Sequence, residues 1–356
     1  SNQKNEERQG SNLKHTKNVE TKSFDSFLEI KKHWSLKDKL IDFYRHKFPV
    51  HKFFKIIPGI PKLFKIITKE KIDIIYERGG SYGLGVLMAK LTGRISIVDF
   101  IDIMYWNWAL KNCDRIMSYF STFQVPGLVN REKIDKVFTC ADIKRFNQDA
   151  PTEKALKLME IQDKQKIFLG IYVGGFYSWH GLEYIVKAIE IMDKQKLFKE
   201  NGKQLKIALV GTGDQFNYIK ELISEKNLEK YFIITGRVDF NDVPKFINAA
   251  DFCLNTNTAD ALGMKIFEYL SCAKPVIAFN VDQIPIFFND GVNLVFAKTK
   301  DPENLAKKMK FLYDNPSLME KIGKNARKLV EDRYTWEQHG RNILHTIKKA
   351  IRDRLE

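Results

Sequence analysis

The chain has 356 residues, 44% of them apolar, and a formal net charge of +15. That length exceeds what one hydrophobic core usually supports, so two domains are expected, and the apolar fraction argues for folding over disorder. No stretch of about twenty uncharged apolar residues exists, which excludes a helix spanning a bilayer. Cys113, Cys140, Cys253 and Cys272 lack the paired spacing of zinc ligands, as expected of reduced core thiols in a cytoplasmic protein.

Residues 1–30 are polar and read as a disordered or trimmed chain end without a leader sequence. Between Lys14 and Lys71 fifteen Lys or Arg stand against six Asp or Glu, interleaved with Trp34, Phe43, Tyr44, Phe48, Phe53, Phe54 and Phe64. Such a mixture suits a peripheral contact with anionic lipid on the inner face of the plasma membrane, each cation adding about 1 kcal/mol. Ordinary solvated helix faces are the plainer account, and nucleic acid is the rival partner that is set aside. Residues 31–155 form the first domain. Four strand-like runs occur in it, at Ile72–Tyr76, Ile95–Val98, Arg115–Tyr119 and Lys136–Thr139, with helices between them such as Tyr82–Leu91. Nothing before Lys71 supplies a first strand running into a glycine-rich turn. The polar, glycine-free stretch Ala141–Lys166 reads as the connection.

Residues 156–332 form the second domain, in which strand and helix alternate with short connections, the pattern of a parallel sheet covered on both faces. Ile167–Val173 enters Gly174 and Gly175, followed by a helix through Leu182–Met192. Lys206–Val210 enters Gly211, Thr212 and Gly213, followed by the helix Phe216–Ser224. Tyr231–Thr235 ends at Gly236 and Arg237, and Asp242–Ala249 is helical. The strand Phe252–Leu254 leads through Asp260, Ala261, Leu262 and Gly263 into a helix, Met264–Cys272, and then a strand, Pro275–Phe279. After Leu294–Phe296 only helices are expected, the last over Thr335–Arg352.

In a doubly wound sheet ligands sit beyond the carboxyl ends of the strands, where Gly174, Gly175, Gly211, Arg237, Asp260, Gly263, Met264 and Lys265 all fall. The helix opening at Met264 offers free amides and about half a unit of positive charge, and Lys265 adds a full charge in its first turn, so the pair suits a phosphate. Glu268, one turn on, is placed to accept hydrogen bonds from a ribose diol, and Asp260 to meet a sugar hydroxyl. His180 could carry a proton against a diphosphate or simply pack the loop. No Asp-x-Asp pair occurs anywhere in the chain, so a metal-held diphosphate lacks that ligand pair.

Asp260-x7-Glu268 followed by AlaLysProValIleAla at 273–278, with PheTyrSerTrpHisGlyLeuGlu at 176–183 and TyrThrTrp at 334–336, resembles the retaining glycosyltransferases of family 4, in their Trp-His-Gly loop subgroup. The resemblance covers residues 70 to 350 and is strongest from 167 to 296. It implies the GT-B fold: two Rossmann-like doubly wound parallel-sheet domains facing a central cleft, the acceptor bound by the first, the donor by the second, and residues 333–356 crossing back as a helix. It further implies a metal-independent hexosyltransferase without cofactor, moving a sugar from a UDP- or GDP-linked donor to a glycan or lipid-linked acceptor in cell-surface polysaccharide or glycolipid synthesis. The family's paired glutamates map onto Asp260 and Glu268, so an aspartate replaces the first. Where many members hold the diphosphate with Arg and Lys, this chain has Gly175 or Phe176 and then His180. A His that the family often places in its first domain has its nearest counterparts here in Asp99 and Asp102, and Asp102 is the candidate. A catalytically silent partner subunit and a GT-B nucleotide-sugar 2-epimerase are the alternatives.

Overall fold

The structure, a computed structural model, describes residues 57–78, 83–100, 107–119, 129–197, 202–259, 262–281 and 283–356. They divide into two compact units, one made of the residues up to Phe138 together with Arg341–Glu356, the other of Thr139–Gly340. Each is a parallel α/β layer structure whose central strands are largely apolar and buried on both faces, as βαβ connections require.

In the first unit the helix α1 (Gly59–Lys69) precedes β1 (Ile74–Arg78), α2 (Leu84–Thr92), β2 (Ile95–Phe100), α3 (Asn107–Asn112), β3 (Arg115–Ser118) and β4 (Ile134–Lys136). The four strands pair in chain order, all parallel. The last was expected at Lys136–Thr139 and lies earlier, because Asn130 caps a short turn over Arg131–Lys133 that delivers Ile134 straight into register with Ile116. One face packs Val86, Val98, Phe100, Leu110 and Ile116 together. The other packs Ile97, Met117 and Val137 against Ile343, Ile347 and Ala350 of the final helix, α12 (Trp336–Leu355), so the chain's last turns complete this core. Arg115, 2% exposed at the start of β3, is held by both carboxylate oxygens of Asp135 at 3.1 and 2.6 Å and by Asp353 of α12 at 3.1 Å. On α1, Phe64 and Ile66 stand exposed at 47% and 42%, alongside Lys62, Lys65 and Lys69. The rest of the basic, aromatic segment expected to meet a membrane lies outside the described residues. Among the described residues no helix is long and apolar enough to cross a membrane.

The second unit contains α4 (Glu153–Leu158), β5 (Ile167–Val173), α5 (Leu182–Lys194), β6 (Gln204–Val210), α6 (Phe216–Glu225), β7 (Phe232–Gly236), α7 (Val243–Ala249), β8 (Phe252–Asn255), α8 (Met264–Ser271), β9 (Val276–Phe279), α9 (Ile284–Phe287), β10 (Val295–Ala297), α10 (Pro302–Asp314) and α11 (Pro316–Arg333). Its six-stranded sheet has the order β10-β9-β8-β5-β6-β7, all parallel. The stretch 141–166, expected as a plain connection, is folded. Phe146, Ala155, Met159 and Ile161 are buried, and Asn248 of α7 donates to the carbonyls of Asn147 and Ala150 at 2.9 and 3.1 Å. A few well-spaced apolar side chains and local capping bonds suffice to dock so polar a stretch.

Candidate functional site

The strand order makes β5 the point of reversal: the chain moves from β5 outward through β6 to β7, then returns to β8 on the other side of β5. Connections leave β5 and β8 toward opposite faces, which opens a crevice at their carboxyl ends. Its floor is built by one side chain. The β5 and β8 strands pair only at Gly170 with Phe252 and Ile171 with Cys253. Beyond that the Tyr269 hydroxyl of α8 serves Val173 on both sides, accepting from its amide at 2.7 Å and donating to its carbonyl at 3.1 Å. Backbone groups that would otherwise need a strand partner are thereby satisfied while the strands part.

Two glycine turns line the crevice. Gly174 and Gly211 have φ of +150° and +138°, and a Cβ on Gly211 would lie 2.0 Å from the Gly174 carbonyl oxygen, so the ends of β5 and β6 approach more closely than any other residue permits. The Gly211 amide donates to the Gly236 carbonyl at 2.9 Å, which sets the exposed Arg237 one residue beyond this junction. Gly263 is the N-cap of α8 and offers no side chain, so no side-chain cap occupies the first amides of the helix, at Met264 and Lys265. Met264 is exposed at 47%.

The polar groups converge on Tyr172, the penultimate residue of β5. Its hydroxyl donates to the Gly175 carbonyl at 2.6 Å, and Lys265 Nζ donates to the hydroxyl oxygen at 3.2 Å while lying 4.3 Å over the ring. His180 Nδ1 lies 2.6 Å from that same carbonyl and 2.9 Å from the tyrosine oxygen. Because a carbonyl only accepts, Nδ1 carries the hydrogen and Nε2 keeps its lone pair. Burial, then the nearby Lys265 charge, push the imidazole down to about 4 against the support of the Gly175 bond. His180 is therefore neutral at physiological pH in the donor-free site, a hydrogen-bond acceptor at Nε2, not a standing cation. Its loop is pinned across the crevice, with Thr256 Oγ1 donating to the His180 carbonyl at 2.8 Å and the Thr258 amide to the Trp179 carbonyl at 2.8 Å.

Lys265 and Glu268 share one side of α8, partly buried. Burial lowers the lysine to about 7, with the Glu268 charge opposing. Burial raises the Glu268 carboxyl to about 7, with the charges of Arg145 and then Lys265 opposing. No described residue donates a hydrogen bond to that carboxylate, so its acceptors are uncommitted. Asp260 and Asp102 lie outside the described residues. Asp99 is buried at the end of β2, accepting from the Tyr76 hydroxyl at 2.6 Å and facing Arg78 at 3.5 Å. Among the described residues no group of His, Cys, Asp and Glu is gathered as a metal site.

Sequence reasoning brought Gly174, Gly175, Gly211, His180, Lys265 and Glu268 to this end of the sheet but missed Tyr172 and Arg145. A signal for Tyr172 existed: a tyrosine in an otherwise apolar buried strand needs a partner for its hydroxyl, and two residues before a glycine turn that partner is at the strand end. Nothing local marked Arg145.

Comparison with known proteins bears on the fold and on the second unit's sequence. Residues 153–329 match the family model Glycosyl transferases group 1. The chain is 24% identical over 304 residues to an uncharacterized glycosyltransferase of Methanocaldococcus jannaschii, covering 82% of this chain and 81% of that protein. It is also 24% identical over 278 residues to the UDP-N-acetylglucosamine--N-acetylmuramyl-(pentapeptide) pyrophosphoryl-undecaprenol N-acetylglucosamine transferase of Clostridium botulinum, covering 74% of this chain and 71% of that one. Among solved structures, the Anabaena HepE protein in complex with UDP superposes with a TM-score of 0.70 at 18% identity, covering 82% of each chain. A glycosyltransferase from Rickettsia africae superposes with a TM-score of 0.71 at 19% identity, covering 84% of this chain and 82% of that one. The fold is GT-B, and residues 153–329 are similar to the group 1 glycosyl transferases.

Proposed function

We propose that this chain, a glycosyltransferase of the GT-B fold, moves a hexose from a UDP- or GDP-linked donor to a glycan or lipid-linked acceptor, with retention of configuration and without a metal. The observation that carries the reading is the meeting of the Gly174–Gly175 turn, Lys265, Glu268 and the α8 N-terminus at one opening of the sheet. Each part of a sugar nucleotide finds its chemistry there. The diphosphate takes the free amides of α8 and the Lys265 ammonium, the glycine turns let backbone approach it, and the uncommitted Glu268 carboxylate accepts from the ribose diol. Two relatives support the donor and acceptor classes: the Anabaena structure holds UDP, and the Clostridium transferase is named for a UDP-linked sugar and an undecaprenol-linked acceptor.

As the glycosidic bond breaks, negative charge grows on the leaving diphosphate, and fixed amide dipoles with Lys265 stabilise it more than they stabilise the intact donor. The acceptor oxygen bonds the anomeric carbon of an oxocarbenium-like sugar on the face from which the phosphate oxygen departs, and its proton passes to that departing oxygen, so no protein nucleophile is needed. Asp260 is assigned to the donor-sugar hydroxyls, and Asp102 remains the acid of the first domain.

A thermal-shift screen of UDP- and GDP-linked sugars tests this directly, since a ligand at a hundred times its Kd adds about 2.7 kcal/mol. With the stabilising nucleotide in hand, Lys265→Met is expected to weaken the nucleoside diphosphate about tenfold and leave the free nucleoside unchanged by calorimetry. Equal losses for both would remove Lys265 from the phosphate. Donor binding without turnover on any lipid-linked acceptor would instead make the chain a silent partner subunit.

The exposed Phe64 and Ile66 of α1, set among lysines, support a peripheral contact with anionic lipid. The protein should co-sediment with phosphatidylserine-containing vesicles and be released by raised salt. Binding indifferent to lipid charge would overturn it.

A further inference from the structure

We infer that Tyr172 is a positioning residue of the donor site, whose hydroxyl and ring hold the Lys265 ammonium where a diphosphate meets it. The inference rests on the donor reading above. A lysine at the start of a helix has four rotatable bonds and, left to solvent, spreads its charge over a wide volume, at a cost in rotamer freedom when it is fixed. Here the cost is met before any donor arrives. Lys265 Nζ is 3.2 Å from the Tyr172 oxygen and 4.3 Å from the ring centroid, and a Cβ on Gly174 would lie 3.1 Å from the Tyr172 oxygen and 3.7 Å from Lys265 Cδ. The lysine therefore lies along the glycine turn with its charge at the mouth of the crevice.

Tyr172 is itself immobile. It is fully buried, packs edge-on to Phe176 at 6.1 Å, and its single hydroxyl hydrogen goes to the Gly175 carbonyl at 2.6 Å. Donating that hydrogen turns the lone pairs of the oxygen toward Lys265, which can only donate. His180 Nδ1 donates to the same carbonyl, so it reinforces this direction of the network and does not compete for the tyrosine hydrogen. The Gly175 carbonyl keeps the His180 donor whether or not the tyrosine hydroxyl is present, so what depends on Tyr172 is the position of the cation that faces the turn. In this arrangement Lys265 acts on the donor and Tyr172 acts through Lys265.

The test is a double-mutant cycle of Tyr172→Phe and Lys265→Met, read by calorimetry with whichever of UDP and GDP the wild-type protein binds, and with the matching nucleoside. Tyr172→Phe keeps the shape and the ring face but removes the acceptor. It is expected to weaken the nucleoside diphosphate by about fivefold and to leave the nucleoside unchanged. In the Lys265→Met background the same change should cost less than about twofold, because the group it positions is gone. Tyr172→Leu, which removes ring and hydroxyl, should cost more than Phe in the wild-type background and no more in the other. Both arms carry the same Tyr172 change, so a shared loss of stability cancels. Equal weakening in the two backgrounds, or loss of nucleoside as well as nucleotide affinity, overturns the assignment of Tyr172 alone. Failure of the wild-type protein to bind either nucleotide overturns the donor reading and this inference with it.

Discussion

Replacing Arg327 by methionine is expected to lower the unfolding free energy by about 3–5 kcal/mol, the cost of breaking a mostly buried charged network from one side. The guanidinium of this α11 residue is the clasp between three segments. It donates to the carbonyl of Ser271 at the end of α8, to Ser271 Oγ at 3.0 Å, to the Phe146 carbonyl at 2.9 Å and to the Ile143 carbonyl at 3.5 Å, while its Nε pairs with Glu331 at 2.6 Å. Ser271 Oγ donates in turn to the Phe146 carbonyl at 2.6 Å, so the end of α8 and the 141–146 segment share one polar node. Methionine fills the volume but leaves the Ser271 and Ile143 carbonyls without that donor. Urea titration should show a lower midpoint with an unchanged slope. Arg327→Lys should recover only part of the loss, since a point charge cannot span three carbonyls as the planar fork does. A loss below about 1 kcal/mol would show that water replaces the clasp. Because α8 carries Lys265 and Glu268, donor affinity should fall in the same variant even where it remains folded.

Arg327 also marks where the sequence stops being legible. Its partners lie 56 and 181 residues away, and nothing in the local pattern of a charged helix reveals that one of its many cations points inward. By contrast β5 was readable to the residue: Ile167–Val173 is an unbroken apolar run between Lys166 and Gly174, and a parallel strand buried on both faces produces that pattern. The same logic placed β6, β8, β9 and the helices between them within a residue or two. It placed the glycine turns and Lys265 at strand ends, because their position follows from chain order once the sheet is parallel. Electrostatics was less readable. His180 could be drawn as a cation or a packing residue from sequence, and only its burial beside the Lys265 charge makes it neutral, while the Gly175 carbonyl fixes which nitrogen carries the hydrogen. The influence of Arg145 on Glu268 needs the folded 141–166 segment, whose polarity concealed its buried apolar anchors.

Glu268→Ala is expected to weaken donor binding ten- to a hundredfold, the loss of a charge-assisted hydrogen bond to a ribose diol being about 1.5–3 kcal/mol. The pH dependence makes the assignment specific. The Glu268 carboxyl is raised to about 7 and the Lys265 ammonium is lowered to about 7, each chiefly by burial. A carboxyl raised in the folded state contributes stability below its unfolded value that is lost as pH rises through 7. A lysine lowered in the folded state contributes stability that returns only as pH rises from 7 toward its unfolded value. Near neutrality the donor-free pair is thus at its least favourable, and a ligand that pairs both charges relieves it. A sugar nucleotide needs Glu268 ionised and Lys265 protonated. Its affinity should therefore rise toward pH 7 from below, fall above it, and approach a tenfold change per unit on each limb. The diphosphate of a sugar nucleotide keeps its charge throughout this range, so both limbs belong to the protein. Glu268→Gln should erase the acid limb and keep the alkaline one, Lys265→Met should do the reverse, and the free nucleoside should show the acid limb alone. Donor affinity unchanged in Glu268→Ala with the fold intact, or an acid limb that survives Glu268→Gln, would take the ribose away from this residue and leave α8 with a phosphate site only.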